Sequence, residues 1–191
     1  MRILVLNASP RPKGIVSTLA AEFSAEARSL GAEVETIDVR QLRVAPCTGC
    51  MRCRPTHSCV LAPDDSLIVL EAMRRADAVV VAAPTYWGNM PGTLKLLFDR
   101  LVYGMMEETS RFPRPLMKGK RAAIITACTT RWPFNRLFRQ SSGTVRAVSE
   151  ILKYSGFALR GTIQRGGTAA NPELTDRDRA KARHLAKRII K

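Results

Sequence analysis

The chain has 191 residues, of which 46% are hydrophobic and 25% charged, which suits one ordinary globular domain with a sizeable core. No apolar run reaches the ~18 residues that cross a bilayer, and no signal-peptide pattern follows the short apolar N-terminus, so we expect no membrane association and a cytoplasmic location. The 31 Lys+Arg outnumber the 16 Asp+Glu and give a net charge of +15, which favours anionic partners. The basic residues are scattered and no DNA-binding motif occurs, so a solvated basic surface is favoured over nucleic-acid binding.

The first predicted element is a strand at residues 2–6, followed by a polar loop and a helix that ends at Gly31. The loop carries hydroxyl and basic side chains at Ser9, Arg11, Lys13, Ser17 and Thr18. Free N–H groups at a helix N-terminus bind anions, and hydroxyl donors and a cation strengthen such a site. Neither G-x-G-x-x-G nor G-x-x-x-x-G-K-[ST] is present, which disfavours a dinucleotide site and a P-loop. The loop therefore predicts a site for a terminal phosphate, with a plain N-cap by Ser17 or Thr18 as the alternative.

The rest of the chain predicts strands and helices in alternation. In order, the predictions are a strand at 33–39, an excursion at 40–63, a helix capped by Asp64 or Asp65, a strand at 77–82, a helix at 93–101, a surface loop at 103–118, a strand at 121–126, a loop at 127–142, a helix at 143–154, a strand at 157–163 and a helix from 175 or 176 to 191. This alternation predicts a doubly wound, five-stranded parallel α/β sheet in one domain over residues 1–191. Because no G-x-G-x-x-G turn follows the first strand, the flavodoxin-like strand order 2-1-3-4-5 is favoured.

An aromatic loop, Pro84–Met90, follows the third predicted strand. Its rings can cover a flat heterocycle, and its glycine lets backbone N–H groups reach the edge of that heterocycle. The alternative is that Tyr86 and Trp87 pack beneath a turn. In the order 2-1-3-4-5, the loops after the first and third strands flank the crevice where ligands bind. A phosphate site beside a flat-ring site describes FMN.

Two segments resemble the flavodoxin-like NAD(P)H-dependent FMN reductase family: Ser9-Pro10-Arg11 with Ser17-Thr18, and Pro84–Pro91 followed by Leu94-Lys95 and Asp99-Arg100. The resemblance runs from Arg2 to about Ile163. It implies that the first loop holds the FMN phosphate, the aromatic loop follows the isoalloxazine ring, and the loop after the fourth strand adds contacts. With the loop cation Lys13, the implied FMN-binding residues are Ser9, Arg11, Lys13, Ser17, Thr18, Pro84, Thr85, Tyr86, Trp87, Gly88, Asn89, Thr126, Ala127 and Cys128, with Thr129 beside them. The sequence departs from the family's commoner Asn-Gly-Asn-Thr pattern at residues 13–18.

Four cysteines in the excursion, Cys47-x2-Cys50-x2-Cys53-x5-Cys59, resemble the compact cluster motif of iron–sulfur flavoproteins in the same superfamily. Cysteines three residues apart can contact several corners of one [4Fe–4S] cluster, and a fourth completes the ligand set. The alternatives are a cluster-free loop of similar sequence, a zinc site, which usually draws on two separated pairs, and disulfides, which a reducing cytosol disfavours. We expect Cys128 to be a buried thiol or a flavin neighbour, and His57 to be a solvated residue.

The leading functional prediction is an FMN-binding NAD(P)H-dependent oxidoreductase that reduces flavin, a quinone or a metal ion. In the alternative, a ferredoxin passes electrons through a [4Fe–4S] cluster to FMN, and the basic surface attracts this acidic donor. An alternative of another class is a basic nucleic-acid-binding or regulatory module. No side-chain acid or base is assigned to catalysis, and backbone N–H groups near Gly88 and Asn89 are expected to stabilise the reduced ring. The family resemblance also implies a homodimer or homotetramer.

Overall fold

The computed structural model describes residues 1–109 and 111–191. Its strands are β1 (Arg2–Asn7), β2 (Glu33–Asp38), β3 (Ala78–Pro84), β4 (Met106–Glu107), β5 (Arg114–Pro115), β6 (Arg121–Ala127) and β7 (Ala158–Arg165). Its helices are α1 (Ile15–Ser29), α2 (Cys53–Thr56), α3 (Ser66–Arg75), α4 (Gly92–Met105), α5 (Phe134–Leu137), α6 (Gln140–Tyr154) and α7 (Asp176–Ile190), and a 3₁₀ turn spans Val39–Gln41.

The five long strands form one parallel sheet in the order β2-β1-β3-β6-β7. This order confirms the predicted flavodoxin-like order 2-1-3-4-5, because β6 and β7 are the fourth and fifth long strands. The short strands β4 and β5 pair with each other, antiparallel, outside that sheet. Because all five long strands run in the same direction, the loops that follow them emerge at one edge, where doubly wound sheets bind ligands.

The hydrophobic core has two layers, one on each face of the sheet. Leu4, Val79 and Ile124 point toward the layer formed with α3, α4 and α6. Val5 and Val80 point toward the other layer, formed with α1 and α7. Successive strand residues face opposite sides, so a strand covered on both faces needs a continuous apolar sequence, and the apolar run of β3 has that composition.

Two predicted segments differ from the structure. The surface loop expected at 103–118 contains the last turn of α4 and the β4–β5 pair, and Met105 and Met117 are buried in the core. Methionine fills irregular core space well. The loop-like composition of residues 103–118 gave no indication that these two methionines are buried. Ser110, within that predicted loop, lies outside the described residues. The loop expected at 127–142 contains α5, and α6 begins at Gln140 rather than residue 143.

In the part of the chain that the structure describes, no helix combines the length and apolar character needed to cross a bilayer.

Candidate functional site

The loops that follow β1, β3, β6 and β7 converge on a cleft of about 270 Å³ at the carboxyl edge of the sheet. Of the residues predicted to bind FMN, the cleft is lined by Ser9, Arg11, Pro84, Thr85, Tyr86, Ala127 and Cys128. The structure thus brings the three predicted loops together at one place. The remaining predicted residues, which do not line the cleft, are Lys13, Ser17, Thr18, Trp87, Gly88, Asn89 and Thr126.

One end of the cleft is the N-terminus of α1. Gly14 occupies the N-cap position without a side-chain cap, and no acidic residue lies in the first turn. The first intrahelical hydrogen bond joins the Thr18 N–H to the Gly14 carbonyl at 2.9 Å, and within the described residues the N–H groups of Ile15, Val16 and Ser17 have no acceptor. Unpaired N–H groups at the positive end of a helix dipole form a site for an anion.

The hydroxyl groups of this loop hold its shape. Ser9 Oγ and Ser17 Oγ both donate to the Arg11 carbonyl, at 3.1 and 2.8 Å. Thr18 Oγ1 donates to the Gly14 carbonyl at 3.0 Å. Neither hydroxyl at 17 or 18 caps the helix through its side chain, so the plain N-cap alternative is wrong. The side chains of Arg11 and Lys13 are exposed, so their charges remain available at the helix N-terminus.

The aromatic loop is a tight hairpin. Tyr86 and Asn89 exchange two backbone hydrogen bonds of 2.9 Å, and Trp87 and Gly88 between them have φ of 51° and 70°, as in a type I′ turn. The Asn89 N–H is therefore already paired, which corrects the expectation that it stabilises the reduced ring. Within the described residues the N–H groups of Trp87 and Gly88 have no acceptor. Trp87 is fully exposed, so the alternative that it packs beneath the turn is wrong.

A buried chain of hydroxyl groups supports the floor of the cleft. Thr85 Oγ1 lies 2.8 Å from Thr144 Oγ1 and 3.2 Å from Thr126 Oγ1. Thr126 and Thr144 are completely buried, so Thr126 supports the cleft from beneath rather than lining it. Helix α6, which carries Thr144, is thereby tied to the loop after β3.

We expect Thr144→Val to destabilise the protein by ~1 kcal/mol, because valine keeps the shape of threonine but removes the nearer of the two hydroxyl partners of Thr85. Urea unfolding monitored by circular dichroism measures this change. Thr144→Ser keeps the hydroxyl and serves as the control. Equal stability of the valine variant and the wild type would show that the hydrogen bond between Thr85 and Thr144 does not stabilise the fold.

Cys128 lies at the wall of the cleft. Burial raises the pKa of its thiol, which outweighs the opposite effect of nearby hydrogen bonds. The thiol thus stays protonated near neutral pH. Cys128 lines the cleft predicted to bind the flavin, and its thiol is buried. The two interpretations of Cys128 are therefore compatible.

The loop after β7 was not among the segments predicted to form the site. Thr168 and Pro172 line the cleft, and the Thr168 N–H donates to the Cys128 carbonyl at 3.2 Å. The available signal was positional, since this loop follows the fifth strand of a parallel sheet and must emerge at the same edge as the others.

A second cavity, of about 420 Å³, lies between the excursion and α4. All four cysteines of the predicted motif line it, and none of them forms a disulfide. Cys47 and Cys50 are exposed, whereas Cys53 and Cys59 are half-buried. Burial raises the pKa of Cys53, and the neighbouring Cys59, Cys47 and Cys50 raise it further. His57 also borders this cavity and is exposed, as expected of a solvated residue.

The donor set of this cavity suits a cluster in residue type and number. Among the described residues, no three His, Cys, Asp or Glu side chains are gathered closely enough to hold a single metal ion. A cluster contacts its cysteines at separate corners, and the four free thiols that line this cavity supply the ligand type and number that it needs. The Cys50 thiol also receives a hydrogen bond from the Arg52 backbone, which lowers its pKa and favours the thiolate that ligates metal.

The fold and the cleft define a flavodoxin-like α/β protein with an uncapped helix N-terminus beside an aromatic loop. An azoreductase of Bacillus anthracis has the same fold, with a TM-score of 0.76, 17% identity and complete coverage of both chains. The sequence profile of the NADPH-dependent FMN reductase family matches residues 1–142. The chain belongs to this family, which confirms the predicted resemblance to FMN reductases.

The chain is similar to curated relatives of two kinds. An iron–sulfur flavoprotein of Methanosarcina thermophila is 39% identical over 102 residues, which are 53% of this chain and 53% of that protein. An FMN-dependent NADH:quinone oxidoreductase of Pseudomonas aeruginosa is 27% identical over 211 aligned positions, covering 99% of this chain and 92% of that protein. The chain thus aligns with about half the length of its iron–sulfur relative and with nearly all of the quinone-type relative.

Proposed function

We propose that the chain binds FMN in the cleft at the carboxyl edge of the sheet and uses NAD(P)H to reduce a quinone-type acceptor. The single observation that carries the proposal is the convergence of an uncapped helix N-terminus and an exposed aromatic hairpin on one cleft. Membership in the FMN reductase family and the similarity to an NADH:quinone oxidoreductase support it.

The residues of the cleft suit the two ends of FMN. The N–H groups of residues 15–17, with the guanidinium of Arg11, can hold the phosphate, because several donors and a cation surround one anion site. Ser9, whose donors are already paired, acts through the shape of the loop. The apolar and small residues Pro84, Tyr86 and Ala127 can enclose the ring. Lys13 contributes charge from outside the cleft, whereas Ser17 and Thr18 act through the shape of the loop.

Bound FMN supplies hydride acceptance and onward electron transfer, and the protein binds and orients the reactants. The unpaired N–H groups of Trp87 and Gly88 can donate to negative charge that develops beside the hairpin. The exposed rings of Tyr86 and Trp87 offer planar surface to a nicotinamide or a quinone. Cys128, the titratable cleft residue with a raised pKa, stays neutral.

Reloading the purified protein with FMN, followed by NADH and NADPH oxidation assays with quinones, free flavin and ferric ion as acceptors, tests the proposal. We expect a flavin absorption spectrum and faster turnover with quinones than with the other acceptors. A colourless protein that cannot be loaded with FMN would contradict the proposal, and quinone turnover no faster than that with free flavin would reject the acceptor class alone.

We expect Arg11→Ala to weaken FMN binding about tenfold and riboflavin binding hardly at all, because the arginine interacts with the phosphate that riboflavin lacks. Fluorescence titration of the apoprotein with each ligand measures both constants. Arg114→Ala removes an exposed arginine that pairs with Glu107 away from the cleft and controls for the loss of general positive charge. An equal loss for FMN and riboflavin would show that Arg11 does not contact the phosphate.

As a second candidate, we propose that the cysteine cavity holds a [4Fe–4S] cluster that passes electrons from a ferredoxin to FMN. The supporting observation is the placement of four free thiols around one cavity, and the similarity to an iron–sulfur flavoprotein agrees with it. Anaerobic purification with iron and acid-labile sulfide assays tests it. Stoichiometric iron and sulfide with flavin support the cluster, whereas flavin without iron, even after reconstitution, supports the first candidate alone.

We also propose that the chain is one FMN-binding domain over residues 1–191 that forms a homodimer or homotetramer in the cytoplasm. An apolar cavity of about 320 Å³ along α4 and α6, lined by Met105, Ile151 and Tyr154 among others, supports association. The five free cysteines support a reducing compartment. Light scattering coupled to size-exclusion chromatography measures the state, and a monomer at all concentrations would contradict association.

A further inference from the structure

Arg100 of α4 is the most deeply buried charged residue at the cysteine cavity. It lines the cavity and is 3% exposed. Its Nη2 lies 3.1 Å from Asp64 Oδ2, and its Nη1 donates to the Ala45 carbonyl at 3.1 Å. Its Nε is buried and has no hydrogen-bond partner among the described residues. A buried charge with an unsatisfied donor is unfavourable unless another group completes its environment.

We define the cysteine loop as residues 45–64 and its neck as the place where its two ends, Ala45 and Asp64, meet. Both partners of Arg100 lie at this neck. The Ala45 N–H donates to Asp64 Oδ2 at 3.0 Å, so the two ends of the loop are joined directly. Outside this pair, the Arg43 N–H donates to Asp65 Oδ2 at 2.7 Å. Arg100 bonds both ends at once and thereby anchors the neck to α4.

The carboxylate at this neck is ionised. Burial alone would raise the pKa of Asp64, but hydrogen bonds from Ser66 and Ala45 and the charge of Arg100 lower it. Asp64 also accepts a hydrogen bond from the Ser66 backbone at 3.0 Å, at the start of α3. The neck therefore ties the cysteine loop to both α3 and α4.

The other charged groups at the cavity neutralise one another in pairs. Asp99 pairs with Lys95, Glu108 with Arg54, and Glu107 with Arg114. These pairs are largely exposed, so water also screens their charges. Arg100 differs because its side chain is buried and its charge is neutralised within the fold by the ionised Asp64. This buried pair joins the cysteine loop to α4.

We propose that Arg100 is a positioning residue that closes the neck of the cysteine loop and so holds the four cysteines around their cavity. The effect on cluster binding rests on the proposed [4Fe–4S] cluster, whereas the closing of the neck does not. The two terminal nitrogens of one guanidinium bond both ends of the loop.

Two variants test the proposal. Arg100→Lys keeps a positive charge but loses the planar fork that bonds both ends of the loop. The double variant Arg100→Met with Asp64→Asn removes both charges, so that no unpaired carboxylate remains buried. Arg165→Lys is the matched control, because Arg165 and Asp178 form another buried pair, 2.9 Å apart, that does not line the cysteine cavity.

Hydrogen–deuterium exchange of the cluster-free protein tests the neck. We expect exchange within residues 43–66 to be about tenfold faster in both Arg100 variants than in the wild type, and unchanged in Arg165→Lys. Unchanged exchange in the double variant, at an unchanged circular dichroism spectrum, would overturn the neck role.

Anaerobic reconstitution tests whether the neck positions the cysteines. We expect the double variant to bind iron and sulfide about 10- to 100-fold more weakly than the wild type, with the same FMN content because Arg100 does not line the cleft proposed for FMN. Equal loading of wild type and double variant would overturn the positioning of the cysteines by the neck. If the wild type itself takes up no iron, the cluster proposal fails, while the exchange experiment still decides the neck.

Discussion

Gly143→Ala is expected to destabilise the protein by ~2–3 kcal/mol and to weaken FMN binding, because the added methyl group collides with the backbone of the aromatic hairpin. A Cβ at Gly143 would lie 2.0 Å from the Gly88 carbonyl oxygen and 3.0 Å from its carbon. Neither atom can rotate away, since both belong to the main chain of a tight turn. Gly88 itself has φ of 70°, so moving it disturbs a hairpin that depends on that conformation.

Gly92→Ala is the matched control for this experiment. Gly92 begins α4, and a Cβ there meets nothing within 4 Å. Alanine has a higher helix propensity than glycine by ~1 kcal/mol, so this change should be neutral or stabilising. Urea unfolding and FMN titration of both variants separate a general effect of alanine from the collision at the hairpin. Two variants of equal stability would mean that α6 and the hairpin can move apart freely.

Serine substitution at each of the four cavity cysteines is expected to lower cluster content at least ~10-fold, with loss of the broad brown absorption. Serine cannot supply the thiolate that a cluster requires. Iron, acid-labile sulfide and visible absorption after anaerobic reconstitution measure the result for Cys47, Cys50, Cys53 and Cys59 separately.

Cys128→Ser is the control, since Cys128 lines the FMN cleft rather than the cysteine cavity. It should retain the iron and sulfide of the wild type. If any single variant among the other four keeps the cluster absorption, that cysteine is not a ligand. If the wild type never acquires iron, the four cysteines belong to a cluster-free loop and the quinone-type activity stands alone.

Local signals in the sequence were sufficient for the order of elements. The apolar run of β3 is buried on both faces because helices cover both sides of the strand, and such a run by its composition alone predicts a central strand. The missing G-x-G-x-x-G turn favoured the order 2-1-3-4-5, which the sheet has. Residues 103–118 escaped this reasoning, because the burial of Met105 and Met117 depends on what packs against them.

In the site, too, some features follow from the sequence and others depend on the fold. The order of residues is enough to place a basic, hydroxyl-rich loop after the first strand and an aromatic loop after the third, and parallel strands bring such loops to one edge. The use of each polar group emerges only in the folded chain: Ser17 braces the Arg11 carbonyl, the Asn89 N–H closes the hairpin, and Thr168 enters the cleft. The burial of Arg100 against Asp64 belongs to the same class. Apolar periodicity is a property of neighbouring residues, whereas a hydrogen-bond partner is chosen by groups far apart in the chain, and only folding brings those groups together.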